Sequence, residues 1–461
     1  MLNIKSKWII FILSGVFLLG HSFWDASAVY ASEGDNGPLN EAAPSLQDIV
    51  NKAKPGDRIV LPEGNYSGPV LINKQLIIQG SGKVSLLNEE PVSGITIQAD
   101  GVVVQGINIF QKQAGEELAA VDVRADNVTV QDLRMTTSGF GIIMRDSNGG
   151  VVTGNFISWD RNLGTAKMGQ KGNGIDLYNS DNTVIEQNKI LSMRDGIYLE
   201  NSKNLDIMGN QIFGSRYGIH CMYIDGTKIV ENRGEYNITG AMIMGVKDVL
   251  VSGNSFAKQS NNVNSQGILL YDVQTSLVEK NVVDGNRVGL YLELSSRNEI
   301  RNNSIYRNFV GIQFVDAENN LIHENDFVAN VIEAEATDSP INQIERNFWD
   351  SSRILDLNND GISEIKYSIN PFYRELTAKD SAFQIFFQSP GISFLSGMYE
   401  NNQASWTTDS SPRMNLNTPV IAADSSLEGE YISGKTFMLI VASLLFLTSV
   451  ITIIYAGVNK S

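Results

Sequence analysis

The chain reads as an all-β protein: a right-handed parallel β-helix solenoid of about 22-residue coils, with an N-terminal helical cap and a C-terminal transmembrane helix. Three observations carry this. An asparagine recurs at Asn188, Asn210, Asn232, Asn254, Asn281, Asn303, Asn325 and Asn347, in steps of 22 residues with one step of 27. A glycine followed by an apolar residue recurs with the same steps, at Gly174, Gly196, Gly218, Gly240, Gly267, Gly289 and Gly311. An aliphatic residue stands three positions before each asparagine, from Ile185 to Ile344. A heptad or a helix pair would not produce this period.

From the N-terminus, Lys5 and Lys7 precede an apolar run over 8–20, and small residues follow at Ala26, Ala28 and Ala31. This layout predicts a signal peptide over 1–31. Ser45-Leu46-Gln47-Asp48-Ile49-Val50 predicts a short amphipathic helix closing the open end of the solenoid, which shields the edge strands from pairing. The β-helix domain is expected over 32–398. Within it the runs alternate apolar and polar residues over short stretches between Gly, Asn, Asp and Ser, so the elements are short strands. No repeat can bury its own apolar face; stacking parallel coils about 4.8 Å apart does so, and parallel crossovers are right-handed. Residues 383–398 carry four Phe and are expected to form a last cap on the core, the alternative being an apolar patch for a partner. A polar stretch over 399–434 suits a flexible stalk. The uncharged apolar run within 435–457 is long enough to cross a bilayer, leaving 458–461 as a cytoplasmic tail. The expected location is the cell membrane, single-pass, with the β-helix on the extracytoplasmic side.

The alternation after each repeat glycine separates inside from outside. First and third residues are apolar throughout the stack and point inward, Cys221 among them, which makes it a small buried hydrophobe. Second and fourth residues face outward, and in two successive coils they are His220/Met222 and Met242/Met244. Residues two apart on a strand lie about 7 Å apart, and equivalent residues on stacked coils about 4.8 Å, so these four tips can converge. One imidazole and three thioethers suit Cu(I), a soft ion that needs no thiolate; the bland alternative is that they pack under nearby loops. The intervals Asn155 to Asn188 and Asn254 to Asn281 are longer than one repeat, and both insertions leave the corner before the Gly-led strand, beside the His/Met face. Trp159, Met168, Arg194, Arg216 and Tyr223 are therefore candidate partner-binding residues.

Asp356, Asn358, Asp360 and Glu364 surround Gly361 with the spacing of the first half of a calcium loop. Tyr367 stands where the bidentate Glu would be, so this is no EF-hand; a weaker calcium site and a metal-free Asx turn remain alternatives.

A formal charge of −16, with 51 acidic against 35 basic residues, lacks the basic footprint of a nucleic-acid binder. One cysteine excludes an internal disulfide and a thiolate zinc cluster. β-Helices are often polysaccharide lyases, hydrolases or epimerases, or bind carbohydrate. Such chemistry needs clustered carboxylates, whereas the outward column offers Asp176 and Glu200 and then breaks into His and Met. No nucleotide-binding motif is present.

From about Ser45 to Met398 the sequence resembles the nitrous oxide reductase maturation proteins of the NosD type. The resemblance rests on Pro55-Gly56-Asp57-Arg58-Ile59-Val60-Leu61-Pro62-Glu63-Gly64-Asn65-Tyr66, on Arg194-Asp195-Gly196-Ile197-Tyr198 and Arg216-Tyr217-Gly218-Ile219-His220-Cys221-Met222-Tyr223, on Gly240-Ala241-Met242-Ile243-Met244, and on Asn347-Phe348-Trp349-Asp350. It implies a non-enzymatic extracytoplasmic β-helix that assists assembly of the copper centre of nitrous oxide reductase. The implied partners are the ATPase and permease subunits of an ABC transporter, the reductase itself and a copper chaperone. It also implies copper contact at the His220/Met222 and Met242/Met244 pairs, in agreement with the geometric reading. The expected C-terminal membrane helix departs from a freely soluble periplasmic form.

Overall fold

Each regular coil is three short strands, as in Val184–Glu186, Lys189–Leu191 and Asp195–Glu200. The computed structural model describes residues 43–160, 168–259, 262, 265–339, 341–387, 389–399, 406–417 and 443. Pairings between coils are parallel, and the third strands stack into a twelve-stranded sheet from Val70–Ile72 to Ile332–Thr337. The 22-residue step keeps register: Ile175, Ile197 and Ile219 stand over one another. The expected parallel solenoid is thus observed. The inward column, Cys221 included, is fully buried, and burial pushes that thiol's pKa up.

The repeat asparagines do more than open a turn. Each follows a residue in the left-handed region, Gln187 (φ 54°), Gly209 (φ 61°) and Glu231 (φ 55°) for example, and its side chain then turns into the solenoid. Asn188 donates its backbone N–H and its Nδ2 to Oδ1 of Asn210, each at 3.0 Å, and Nδ2 also reaches the Val152 carbonyl. The same bonds run from Asn155 through every repeat asparagine to Asn347. An amide can give and take at once, so a buried polar ladder stays satisfied along the stack. The repeat glycine is required by close approach: a Cβ at Gly267 would lie 2.7 Å from the Gly289 carbonyl oxygen.

The short helix predicted near the N-terminus is α1, Leu46–Lys52, N-capped by Ser45, with Leu46 and Val50 in the core. Gln47 bonds both the N–H and the C=O of Leu71, in the first strand of the twelve-stranded sheet, and so occupies backbone groups that another strand could have paired.

At the C-terminal side one expectation, the stalk, is corrected. The segment 383–398 packs along the last rungs of the solenoid. It joins α2 (Phe372–Lys379), the 3-10 turn Ser381–Phe386 and α3 (Pro390–Gly397) on the flank, where Phe387 forms a small cluster with Val288, Val310 and Ile332. Phe386, Phe394 and Met398 are exposed. The stalk is corrected over 406–417, which returns to the solenoid. Thr408–Asp409 pairs with Tyr367–Ser368, and Asp409 accepts from Asn347 Nδ2 (3.0 Å) and Trp349 Nε1 (2.9 Å), replacing the next asparagine of the ladder. Arg413 pairs with the buried Asp326 at 2.7 Å. Phe327, Trp349 and Tyr367 stack with centroids 4.1 and 4.5 Å apart, so the Asn347-Phe348-Trp349-Asp350 motif ends the core.

The signal peptide over 1–31, the segment 418–434 and, apart from Ser443, the expected span 435–457 and tail 458–461 lie outside the described residues. Among the described residues no helix is long and apolar enough to cross a membrane.

Candidate functional site

The strands Tyr217–Met222 and Thr239–Lys247 pair in register, with His220 opposite Met242 and Met222 opposite Met244. The four side chains therefore occupy one outward block, as the alternation predicts. The expectation that this column faces open solvent needs correction at His220, which is only 6% exposed. Tyr198 and Tyr217 meet its ring edge-on, at 5.0 and 4.7 Å between centroids. The three methionines are half-buried. On one side the block is bordered by Tyr198, whose hydroxyl donates to Glu200 at 2.7 Å and lies 3.4 Å from the Met222 sulfur. Two coils beyond the Met242/Met244 strand, Tyr291 and Glu293 repeat the Tyr–Glu bond at 2.9 Å, and burial helps push the Tyr291 hydroxyl up to about 12.

Behind His220 stands Asp195, a residue the sequence reading quoted without giving it a role. Its Oδ2 is 3.1 Å from His220 Nδ1, and both its oxygens accept from Arg216, at 2.8 and 2.6 Å. Asp195 is fully buried. Burial pushes its pKa up, but the Arg216 and His220 bonds outweigh burial and hold it below the ordinary carboxylate range. A signal existed: in the column just before the repeat glycine (Asn173, Asp195, Tyr217, Thr239, Gln266, Val288, Val310), Asp195 alone is acidic. A carboxylate that fixes one imidazole nitrogen leaves the other, Nε2, for a ligand.

The partner-binding candidates separate. Tyr223 is 59% exposed at the turn that ends its strand. Arg216 is engaged, bidentate with Asp195 and stacked 4.5 Å over the Tyr217 ring, so it braces His220. Trp159 is corrected from a loop residue to a core one: it ends the strand Phe156–Trp159 at 6% exposure, beneath Lys171. Met168 opens the 3-10 turn Met168–Gln170. Arg194 holds the corner through its backbone, donating to the Gly172 carbonyl and accepting from Arg216 N–H. Both insertions leave the coil where expected, before Ile175–Tyr178 and Gln266–Gln274; residues 161–167, 260–261, 263 and 264 lie outside the described residues.

Of the carboxylates offered for carbohydrate chemistry, Asp176 is buried between Asn173 Nδ2 (2.6 Å) and Arg145 (2.7 Å), with burial raising its pKa, and Glu200 holds Tyr198. In the Asp-Gly loop, Asp356 accepts from the N–H groups of Asn359 and Gly361, Asn358 from Asp360, Asp360 from Ile362, and Glu364 from Leu357. The bonds to Asn358 and Asp360 are those of nested Asx turns. Among the described residues no three His, Cys, Asp or Glu side chains form a metal-holding group. Metal binding on the His220 flank would therefore depend on thioethers beside the imidazole, a donor set that fits Cu(I).

Residues 160–363 match the family model described as Periplasmic copper-binding protein (NosD). Over this stretch, less than half of the chain, the sequence is similar to the NosD family. The NosD match contains His220, Met222, Met242, Met244, Asp195 and Arg216, and ends within the Asp-Gly loop. No curated protein matches the chain. Similar solved structures include a mutant of the periplasmic alginate epimerase AlgG (14% identity, TM-score 0.46, 67% of this chain and 83% of that one). A GH87 α-1,3-glucanase catalytic domain is 15% identical (TM-score 0.49, 67% and 68%). PfbA, a surface adhesin of Streptococcus pneumoniae, is 14% identical (TM-score 0.44, 69% and 91%). At these identities the likeness concerns the fold alone.

Proposed function

We propose that the chain is an extracytoplasmic accessory protein for assembly of the copper centre of nitrous oxide reductase. It works with the ATPase and permease subunits of an ABC transporter, and the flank of His220, Met222, Met242 and Met244 receives Cu(I) and passes it on. The observation that carries this reading is the in-register His/Met block, with its imidazole held by a buried Asp–Arg pair, inside the stretch that matches a copper-binding family. Copper is cargo here. Thioethers bind without losing a proton, so transfer by ligand exchange depends less on pH than transfer from thiolates. The chain has no nucleotide motif, and energy comes from the transporter. A C-terminal anchor over 435–457 would keep the β-helix at the extracytoplasmic membrane surface. Asp176 and Asp195 are both committed to arginines, so no observation favours the carbohydrate-enzyme reading.

The test is Cu(I) competition against a chromogenic chelator, using the full chain and a variant with His220, Met222, Met242 and Met244 all changed to Ala. One equivalent bound by the parent and none by a variant of unchanged melting temperature supports the proposal. Equal binding by both moves the metal elsewhere, and binding by neither overturns copper carriage by this flank.

A further inference from the structure

The partly buried arginines of this chain are generally paired with carboxylates: Arg145 with Asp176, Arg216 with Asp195, Arg413 with Asp326. A chain with 16 surplus negative charges has carboxylates to spare. Arg194, Arg287 and Arg374 depart from this. Arg287 and Arg374 together line a cleft of about 400 Å³ between the last rungs of the twelve-stranded sheet and the C-terminal helices, within the size range of small-ligand sites. Neither makes an ion pair among the described residues. Arg287 lies 3.7 Å over the Phe309 ring and donates to the neutral Gln384 side chain at 2.7 Å. Arg374, on α2, has its Nε buried with no hydrogen-bond acceptor among the described residues. Burial pulls the Arg287 guanidinium below its ordinary range, as expected of a cation without a counter-charge in contact.

A desolvated cation without a partner costs stability unless something else neutralises it. Glu335 faces the same cleft, bonded to Gln313 at 3.3 Å and attracted to both arginines, so one carboxylate stands against two guanidinium groups and one positive charge is left over. We infer that this cleft binds a small organic carboxylate, held by the guanidinium groups of Arg287 and Arg374. The guanidinium fork matches a planar carboxylate, and Glu335 opposes a dianion such as sulfate or phosphate. Gln313, Gln384 and Thr377 offer polar contacts, and Phe309 and Phe387 an apolar wall, which suits a hydroxylated body on the carboxylate. The cleft is built by other coils than those of the His/Met flank, and the inference stands independently of copper.

The experiment follows the melting temperature of the full chain in detergent as D-glucuronate is added, with D-glucose and sulfate as controls for ring and charge. The expected result is a saturable rise with glucuronate only. Arg287→Gln and Arg374→Gln, each with an unliganded melting temperature near that of the parent, should weaken it at least tenfold. Arg374→Lys, which keeps the charge and loses the fork, should fall between. The inference is overturned if glucuronate gives no saturable rise, if glucose or sulfate gives the same rise, or if the response survives the double substitution. Cu(I) competition on the same variants should be unchanged, which separates failure here from failure at His220.

Discussion

Oδ2 of Asp195 lies 3.1 Å from Nδ1 of His220 on the next coil, and the same carboxylate is gripped by both arms of the Arg216 fork. The imidazole is thus oriented before any ligand arrives, with Nδ1 committed to the carboxylate. A carboxylate behind a ligating histidine fixes its tautomer and raises its basicity.

Asp195→Asn should therefore weaken Cu(I) binding by about 10–100-fold, the range typical of losing such a support. Chelator competition measures it. A merely structural role would lower the melting temperature and leave the affinity of the folded fraction unchanged, so the two readouts together decide.

The same residue sets an acid limb. Its folded pKa lies below the unfolded value of 3.8, so its contribution to stability is complete above that value and is lost as pH falls through the lower folded one. Asp176 has the opposite sign: its folded pKa is raised, so its ionised form costs stability, and that cost disappears on acidification. Urea unfolding from pH 7 to 2 should show the gap between parent and Asp195→Asn closing below pH 3.8. A gap that stays constant with pH would remove Asp195 as the source.

Much of this architecture is legible in the chain because the period is strict and the inward column is apolar. Cys221, between Leu199 and Ile243, needs nothing else to be placed. The asparagines are harder to read. Asn is a common turn former, and only the inward direction of its side chain makes it a ladder. Asp195 is hidden because its partners, Arg216 and His220, belong to the next coil, and Trp159 because the strand it ends merges into an insertion. The segment 406–417 could not be read at all by periodicity. It reaches Asn347 from 62 residues away, and it contributes one buried carboxylate and one arginine where a strand would have contributed apolar residues.

The ladder itself is testable at Asn254, in the coil that follows the His/Met block. It accepts from Asn232 and donates to Asn281 and to the Ile229 carbonyl. Asn254→Ala leaves buried groups on both neighbours without partners, at about 1–3 kcal/mol for each group left unsatisfied. Urea denaturation should show that loss. A change within about 0.5 kcal/mol, the scale of ordinary surface substitutions, would mean that the ladder adds little beyond the strands.

Asp409 ends the ladder with an acceptor that needs no further acceptor of its own. A carboxylate takes hydrogen bonds from the backbone and side chain of Asn347 and from Trp349, where another asparagine would present an Nδ2 with nothing beyond it to bond. Asp409→Ala orphans these donors and removes what holds 406–417 against the final coil. Limited proteolysis should then cut within 406–417 faster than in the parent, while the body through residue 349 stays resistant. If cleavage is instead spread through the whole solenoid, Asp409 is needed for the stack itself, and the returning segment is part of the cooperative fold rather than a clasp on its end.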